Sequence, residues 1–298
     1  MLINPDILGA LLGLATAIFM GMRIIFVRKA TITGKSLDAL YISVFVCFAT
    51  FLPLSFIYLP HLVLNLKSFM AFLSAGLIAM VMATSFYYIG TKRLGASITA
   101  PIRNASLLVT VVIALIILDE SATFIHIVGI FLILTGVVIV ARKISTDNSN
   151  SELEDYYLNL LFPIGAMIGF GLANSLIKFG LSQGTPMWVG LAIMNSFAIL
   201  TIIGYYLWKG KSLLDPFLTD EKYLYLGAGI SLAAGLITLF LGLNKSDLVI
   251  VTPFKTLAPL FTLILSYLFL RRHEIIDKKI IIGTATIVSG TVLVGAFM

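Results

Sequence analysis

Two stretches decide the fold: ITAPIRNASLLVTVVIALIILDE at Ile98–Glu120 and IVTPFKTLAPLFTLILSYLFLRRHE at Ile250–Glu274. Each is an apolar run long enough to cross a bilayer as a helix, which takes about 20 residues. Each also carries a proline followed closely by a basic residue, namely Pro101 and Arg103 in the first stretch and Pro253 and Lys255 in the second. A cation inside such a run is costly, so its repetition indicates a duplicated architecture that uses the charge.

The composition is that of a polytopic membrane protein. Of the 298 residues, 59% are hydrophobic and 11% are charged, and the mean hydropathy is +1.06. A soluble domain has roughly 25% charged residues. The net charge of +6 comes from short clusters between apolar runs, so nucleic acid is not predicted as a partner. The single cysteine, Cys47, excludes an intrachain disulfide and suggests no thiolate metal site.

Windows of about 20 apolar residues predict ten membrane-spanning helices, which we number α1 to α10 in chain order. They cover residues 7–27, 38–59, 69–90, 97–118, 123–141, 158–180, 186–208, 223–243, 248–270 and 280–297. The polar stretch RKISTDNSNSELEDYY is the only long polar connection and is typical of a linker. The predicted domains are therefore a first five-helix repeat at 1–141, a linker at 142–157 and a second repeat at 158–298.

The two halves of the chain resemble each other when one is shifted along the other. A shift of 152 residues matches Gly90 with Gly242 and Pro101 with Pro253, and a shift of 154 matches Glu120, Gly129 and Gly136 with Glu274, Gly283 and Gly290. A shift of 150 matches Gly21 with Gly171 and Arg28 with Lys178. Because each half has an odd number of helices, the second copy must be upside down in the membrane. The predicted fold is an all-α integral membrane protein of ten transmembrane helices in two inverted five-helix repeats.

The basic residues of the loops lie on one side of the predicted membrane. We call the side with the loops after α1, α3, α5, α7 and α9 the basic face. It holds fourteen basic residues, and the opposite face holds two, Lys67 and Lys245. The fourteen are Arg28, Lys29, Lys35, Lys92, Arg93, Arg142, Lys143, Lys209, Lys211, Lys222, Arg271, Arg272, Lys278 and Lys279. Cytoplasmic loops carry the excess of Lys and Arg in membrane proteins. The distribution therefore predicts a cytoplasmic linker and both termini outside the cytoplasm.

Four basic residues, Arg23, Arg103, Lys178 and Lys255, lie inside the predicted spans, whereas the Asp and Glu residues all lie in loops or at helix ends. Arg103 would be about 10 Å from its helix end at 1.5 Å per residue. Such residues either face a polar pathway or extend their charged ends to an interface. Lys178 is near the end of its helix, which favours extension to an interface. The repetition of Arg103 and Lys255 in the two halves favours a polar pathway. For Arg23 both interpretations are possible at this point.

Pro101 and Pro253 are predicted to bend their helices, because proline lacks an N–H and clashes with the preceding turn. Prolines in a first turn would instead be ordinary helix starts. The predicted substrate-binding residues are Arg103, Lys255, Arg23, Asn104, Thr256, Asn174 and Tyr87. No metal site and no cofactor are expected.

Three motifs resemble the EamA branch of the drug/metabolite transporter superfamily: ESATFIHIVGIFLILTG at Glu120–Gly136, EIIDKKIIIGTATIVSG at Glu274–Gly290 and APIRNASLL at Ala100–Leu108. The resemblance covers nearly the whole chain. It implies ten helices, alternating access around a cavity lined by α1, α3, α4, α6, α8 and α9, and secondary transport of small metabolites. Two features depart from it. Members usually keep both termini in the cytoplasm, and the four-helix multidrug relatives carry an acid in the first helix, where this chain has Arg23. The second departure argues against cationic drug efflux.

The predicted function is secondary active transport of a small polar metabolite, anionic or zwitterionic, across the plasma membrane. Two alternatives remain at this stage: a translocase of a lipid-linked head group and an accessory membrane subunit without transport of its own. No HExxH, GxSxG or Walker motif occurs, so an enzyme is not predicted. Small residues on α5 and α10, including Gly129 and Gly283, predict close packing within the chain or a homodimer through these two helices.

Overall fold

The computed structural model describes residues 5–57, 65–117, 124–142, 150–246, 248–274 and 276–296. Over these ranges the chain is helical without strands, and ten helices are long and apolar enough to cross a membrane. The predicted all-α membrane fold of ten helices is therefore confirmed.

The helix bounds follow the predicted spans closely. In the first half α1 is Pro5–Thr31, α2 is Ser36–Phe56, α3 runs from Leu66 to Leu94, α4 runs from Ala96 to Ile117 and α5 is Phe124–Ala141. In the second half α6 is Asn150–Ser182, α7 is Met187–Trp208, α8 is Lys222–Lys245, α9 runs from Leu248 to Phe269 and α10 is Lys278–Ala296. A short helix, Asp215–Leu218, lies between α7 and α8. Because α6 already begins at Asn150, the predicted linker at 142–157 is helical in its second part, where the sequence SELE favours helix.

Three of the ten helices are not continuous α-helices. In α3 a π-helical segment, Gly76–Ala83, separates Leu66–Ala75 from Thr84–Leu94. In α4 the segments Ala96–Asn104 and Ser106–Ile117 meet at Ala105, and in α9 the segments Leu248–Lys255 and Ala258–Phe269 meet at Thr256 and Leu257. The sequence predicted single helices here, because interruptions of one or two residues leave the apolar pattern intact.

The packing of the helices has the symmetry of the repeat. α1 packs on α8 and α9, α6 packs on α3 and α4, α2 packs on α7, and α5 packs on α10. Exchanging each helix for the equivalent helix of the other half converts the pair α1–α8 into α6–α3 and the pair α1–α9 into α6–α4. These main contacts are unchanged by the exchange, as two inverted repeats require.

Glycines bring α5 and α10 into backbone contact within the chain. A Cβ atom at Gly136 would lie 2.7 Å from the carbonyl oxygen of Gly283, and one at Gly290 would lie 2.6 Å from that of Gly129. Small residues permit such close approach of membrane helices. Since the glycine faces are occupied within one chain, the homodimer through α5 and α10 remains a prediction that would have to use other faces of these helices.

Candidate substrate-binding site

A cavity of about 330 Å³, including the part open to the surroundings, lies between helices of both halves. Its lining residues are Met20 and Arg23 on α1, Tyr87 on α3, Ala100, Arg103 and Asn104 on α4, and Ala258, Pro259 and Thr262 on α9. The free space between these side chains is narrow, with room for little more than a water molecule. The site therefore lies at the interface of the repeats and is nearly filled by its own walls in this conformation.

The interruptions of α4 and α9 meet beside this cavity. Asn104 ends the first segment of α4, and its Nδ2 donates to the carbonyl oxygen of Thr256, in the interruption of α9, at 3.4 Å. Thr256 is buried, and its hydroxyl donates to the carbonyl oxygen of Pro253 at 2.8 Å. Discontinuous helices at equivalent positions of two repeats are typical of transporter substrate sites.

The two prolines lie beyond the first turn of their segments, so they are not ordinary helix starts. The interruptions follow the prolines instead of preceding them. At Ala105 the N–H is shared between the carbonyl oxygens of Pro101, at 3.3 Å, and Ile102, at 3.1 Å. This tightened turn ends the first segment of α4 directly after Arg103 and Asn104.

Arg23 is buried beside two tyrosines, with 4% of its surface exposed. Its Nε donates to the Tyr88 hydroxyl at 2.9 Å, and its Cζ lies 5.1 Å from the Tyr88 ring centroid and 5.8 Å from that of Tyr87. Its Nη2 is buried without a hydrogen-bond partner. The Arg23 side chain lines the cavity and does not extend to an interface.

Arg103 also lines the cavity and lies against two aromatic rings. Its Cζ lies 4.1 Å from the ring centroid of Phe170, on α6, and 5.7 Å from that of Tyr87. Its Nε is buried without a hydrogen-bond partner. The ring of Tyr87 is thus within 6 Å of both guanidinium groups, and cations at this distance are attracted to the face of an aromatic ring.

The positive charges at the cavity are not balanced by a carboxylate among the described lining residues. Arg103 lies close enough to Arg23 and to Lys255 for their positive charges to repel one another. Among the described residues that line the cavity there is no acid. The described part of the chain also has no group of three or more His, Cys, Asp and Glu side chains that could hold a metal ion. The charge at the cavity is therefore positive over the described residues.

The remaining predicted residues lie outside the cavity lining. Lys255 is partly buried, at the end of the first segment of α9, and Asn174 is exposed on α6, one turn beyond Phe170. Lys178 is exposed, one turn further along the same helix. The structure thus brings Arg103, Arg23, Asn104 and Tyr87 together and leaves Lys255, Thr256 and Asn174 at or beyond the edge of the cavity.

The predicted residues include Tyr87 but not Tyr88 or Phe170, and nothing in the sequence indicated the π-helical segment that precedes the two tyrosines. At the end of that segment the Thr84 backbone N–H donates to the carbonyl oxygen of Ala79, five residues earlier. Tyr87 and Tyr88 lie in the first turns of the α-helical segment that follows this wide turn, and π-helical segments occur frequently at functional sites. For Phe170 a signal existed, because it precedes Asn174 by four residues and shares its helix face.

At the basic face a buried carboxylate ties helix ends of both halves together. The Glu274 side chain, 1% exposed, accepts hydrogen bonds from Arg28 Nε at 2.8 Å, from the backbone N–H of Ala96 at 2.8 Å, from that of Ser97 at 3.0 Å and from the Ser97 hydroxyl. Arg28 also donates to the carbonyl oxygens of Thr91, Lys92 and His273. Glu274 therefore caps the start of α4 and joins it to the ends of α1, α3 and α9.

Ten membrane-spanning helices in two inverted repeats, with a charged cavity beside their broken helices, define a membrane transporter. The chain belongs to the EamA-like transporter family, whose model matches residues 7–142 and again residues 158–296. This family is part of the drug/metabolite transporter superfamily, so the resemblance seen in the sequence is confirmed.

The comparison with solved structures shows the same fold. A structure described as "Crystal structure of protein" superposes with a TM-score of 0.65 over 96% of this chain and 95% of its own, at 15% sequence identity. No curated protein matches the sequence.

Proposed function

We propose that this chain is a secondary transporter that carries a small anionic metabolite across the plasma membrane by alternating access. The observation that supports this most directly is the pair of buried, unpartnered guanidinium nitrogens, Nη2 of Arg23 and Nε of Arg103, on residues that line one cavity. A buried donor without a partner costs free energy, more so when it is charged. An oxyanion that accepts from both arginines removes that cost.

The charge of the lining favours an anion over a zwitterion or a cation. An ammonium group would meet the arginines and would find no carboxylate among the lining residues. Asn104 and Thr262 supply neutral polar groups, which can orient a ligand without changing the balance of charge. The repulsion between the two arginines is relieved only when negative charge enters between them.

The network at Glu274 supports alternating access. It closes the basic face by joining α4, which carries Arg103, to the ends of α1, α3 and α9. Alternating access in inverted-repeat transporters moves one set of helices against the other around a fixed site. Opening the cavity toward the basic face then requires the contacts of Glu274 with Arg28 and with the start of α4 to separate. With the basic face in the cytoplasm, as the loop charges predict, this conformation is closed on the cytoplasmic side.

A ligand-stabilisation screen of the purified protein tests the proposal. Acetate, succinate, inorganic phosphate, glycine and tetramethylammonium are added, and the midpoint of thermal unfolding is recorded. A ligand that binds only the folded state raises its stability in proportion to the logarithm of ligand concentration over Kd. At least one anion is expected to stabilise the protein, whereas glycine and the cation are not.

Arg103→Gln should weaken the stabilisation by that anion at least about tenfold in apparent Kd, since it removes a charged donor. Arg93→Gln is the matched control, because Arg93 stacks over Phe162 and bonds Asn159 at the exposed surface. Equal anion affinity in both variants, or stabilisation by the cation alone, overturns the proposal.

A further inference from the structure

The hydrogen bond between Arg23 and Tyr88 continues to a third residue and has a fixed direction. An arginine side chain has donors only, so the Tyr88 hydroxyl accepts from Arg23 Nε. Its own proton is then directed to Ser43 Oγ, on α2, at 3.1 Å. Tyr88 and Ser43 are both fully buried, and neither lines the cavity. The chain of bonds therefore reaches the cavity only through Arg23.

This chain fixes the orientation of the Arg23 guanidinium group. The group is planar and rigid, so fixing the direction of Nε and the plane of the group also fixes the position of Nη2. The Tyr88 hydroxyl sets the direction of Nε, and the rings of Tyr88 and Tyr87 lie against the plane. The nitrogen that remains without a partner, Nη2, is thereby held in one place beside the cavity.

A tyrosine hydroxyl can orient an arginine side chain without neutralising its charge, whereas an acidic side chain would neutralise it. A carboxylate would neutralise Arg23 and compete with an incoming anion for the same donors. A neutral hydroxyl accepts one hydrogen bond and leaves the positive charge available to a ligand. The aromatic faces attract the guanidinium group without adding a formal charge.

We infer that Tyr88, supported by Ser43, is a positioning residue that aims Arg23 at an oxyanion shared with Arg103. The inference rests on the proposed function, because it assigns Tyr88 a role in binding the transported anion. Tyr88 itself does not touch the ligand, so its removal acts on affinity through Arg23.

The test compares Tyr88→Phe, which keeps the ring and removes the hydroxyl, with wild type. The probe is whichever of acetate, succinate and inorganic phosphate stabilises the wild-type protein most strongly. Tyr88→Phe is expected to weaken its binding about tenfold, and Ser43→Ala about threefold, because a hydrogen bond to a charged group outweighs a neutral one. In proteoliposomes the apparent KM for the probe should rise by the same factors while the maximal rate is kept.

A double-mutant cycle separates positioning from packing. If Ser43 acts only through Tyr88, the variant with both changes should bind the probe no more weakly than Tyr88→Phe alone. Tyr225→Phe is the matched control: Tyr225 is fully buried, its hydroxyl accepts from the Lys35 backbone N–H at 3.0 Å, and it is not among the lining residues. This control should leave the affinity unchanged.

The outcomes distinguish this inference from the proposed function. Normal affinity in Tyr88→Phe, together with weakened binding in Arg103→Gln, overturns the positioning role and leaves the anion site standing. Absence of binding of all three anions to the wild-type protein overturns both. If Tyr88→Phe does not fold, Ser43→Ala carries the test, and unchanged affinity in that variant overturns the positioning role.

Discussion

Replacing Glu274 by glutamine should release the closure of the basic face and let the cavity open there more often. Glutamine keeps the size of the side chain and one acceptor oxygen. It removes the negative charge that faces Arg28, and it presents an NH₂ group where an oxygen now accepts hydrogen bonds. The contact with the start of α4 is therefore weakened without leaving a cavity.

The magnitude follows from the partners that survive the change. Arg28 keeps the carbonyl oxygens of Thr91, Lys92 and His273, so most of its donors still have acceptors. The loss is then close to that of one hydrogen bond to a charged group, about 2 kcal/mol. In the proposed alternating-access mechanism the network exists only while the basic face is closed, so about 2 kcal/mol shifts the equilibrium toward the open conformation by about 30-fold.

Cysteine accessibility measures this shift. Ala100 lines the cavity and is 3% exposed, so Ala100→Cys, in a background with Cys47→Ala, reports entry of a membrane-impermeant thiol reagent from the basic face. Glu274→Gln should raise the labelling rate from that face toward the 30-fold limit. Glu221→Gln is the control, because the Glu221 carboxylate accepts an exposed hydrogen bond from the Thr33 hydroxyl at the same face.

An unchanged labelling rate in Glu274→Gln would refute the reasoning, since the network would then not hold the face closed. An equal rise in the Glu221→Gln control would show that the effect comes from surface charge and not from the buried contact. Thermal unfolding should place Glu274→Gln within about 2 kcal/mol of wild type, which excludes general unfolding as the cause of labelling.

Three further predictions concern the site, the packing and the orientation. Arg103→Lys should recover part of the anion affinity lost in Arg103→Gln, because it keeps the charge and loses the fork of donors, and adding Lys255→Gln to Arg103→Gln should abolish uptake into proteoliposomes. Gly136→Val should lower the free energy of unfolding by about 1–3 kcal/mol through overpacking against α10, whereas Gly204→Ala, with open space around it, should raise it by about 0.5–1 kcal/mol in thermal unfolding. Reporter fusions should place the 142–157 linker in the cytoplasm and residue 298 outside, and a cytoplasmic reporter at residue 298 would contradict the loop-charge argument.

The helices and the repeat could be predicted because they depend on local properties of the sequence. Apolar runs of membrane length give the ten spans, and residue matches such as Gly21 with Gly171 give the duplication. In the structure these two glycines occupy equivalent places: a Cβ atom at Gly21 would meet Phe261 of α9, and one at Gly171 would meet Val109 of α4. The match in sequence thus reflects a shared packing position.

The details of the site depend on contacts between distant residues and could not be predicted in this way. The bond between Arg23 and Tyr88 joins residues 65 positions apart, and no spacing rule relates them. The π-helical segment contains no proline that would mark it in the sequence, and it packs closely on α7, where a Cβ atom at Gly76 would lie 2.5 Å from the carbonyl oxygen of Met194. The sequence identifies which cations lie in the membrane, whereas only the fold shows what holds them.

The symmetry of the fold and the asymmetry of the site have different physical roles. The interruptions of α4 and α9 and the packing of α1 and α6 are shared by both halves. The arginine and its tyrosine are not: Ala173 stands at the position equivalent to Arg23, and Phe240 at that equivalent to Tyr88, on the continuous helix α8. A symmetric frame can open to either face with similar free energy, because exchanging the halves exchanges the two conformations. A substrate is itself asymmetric, so the groups that bind it need occur in one half only, and the first half provides most of the residues that line the candidate site.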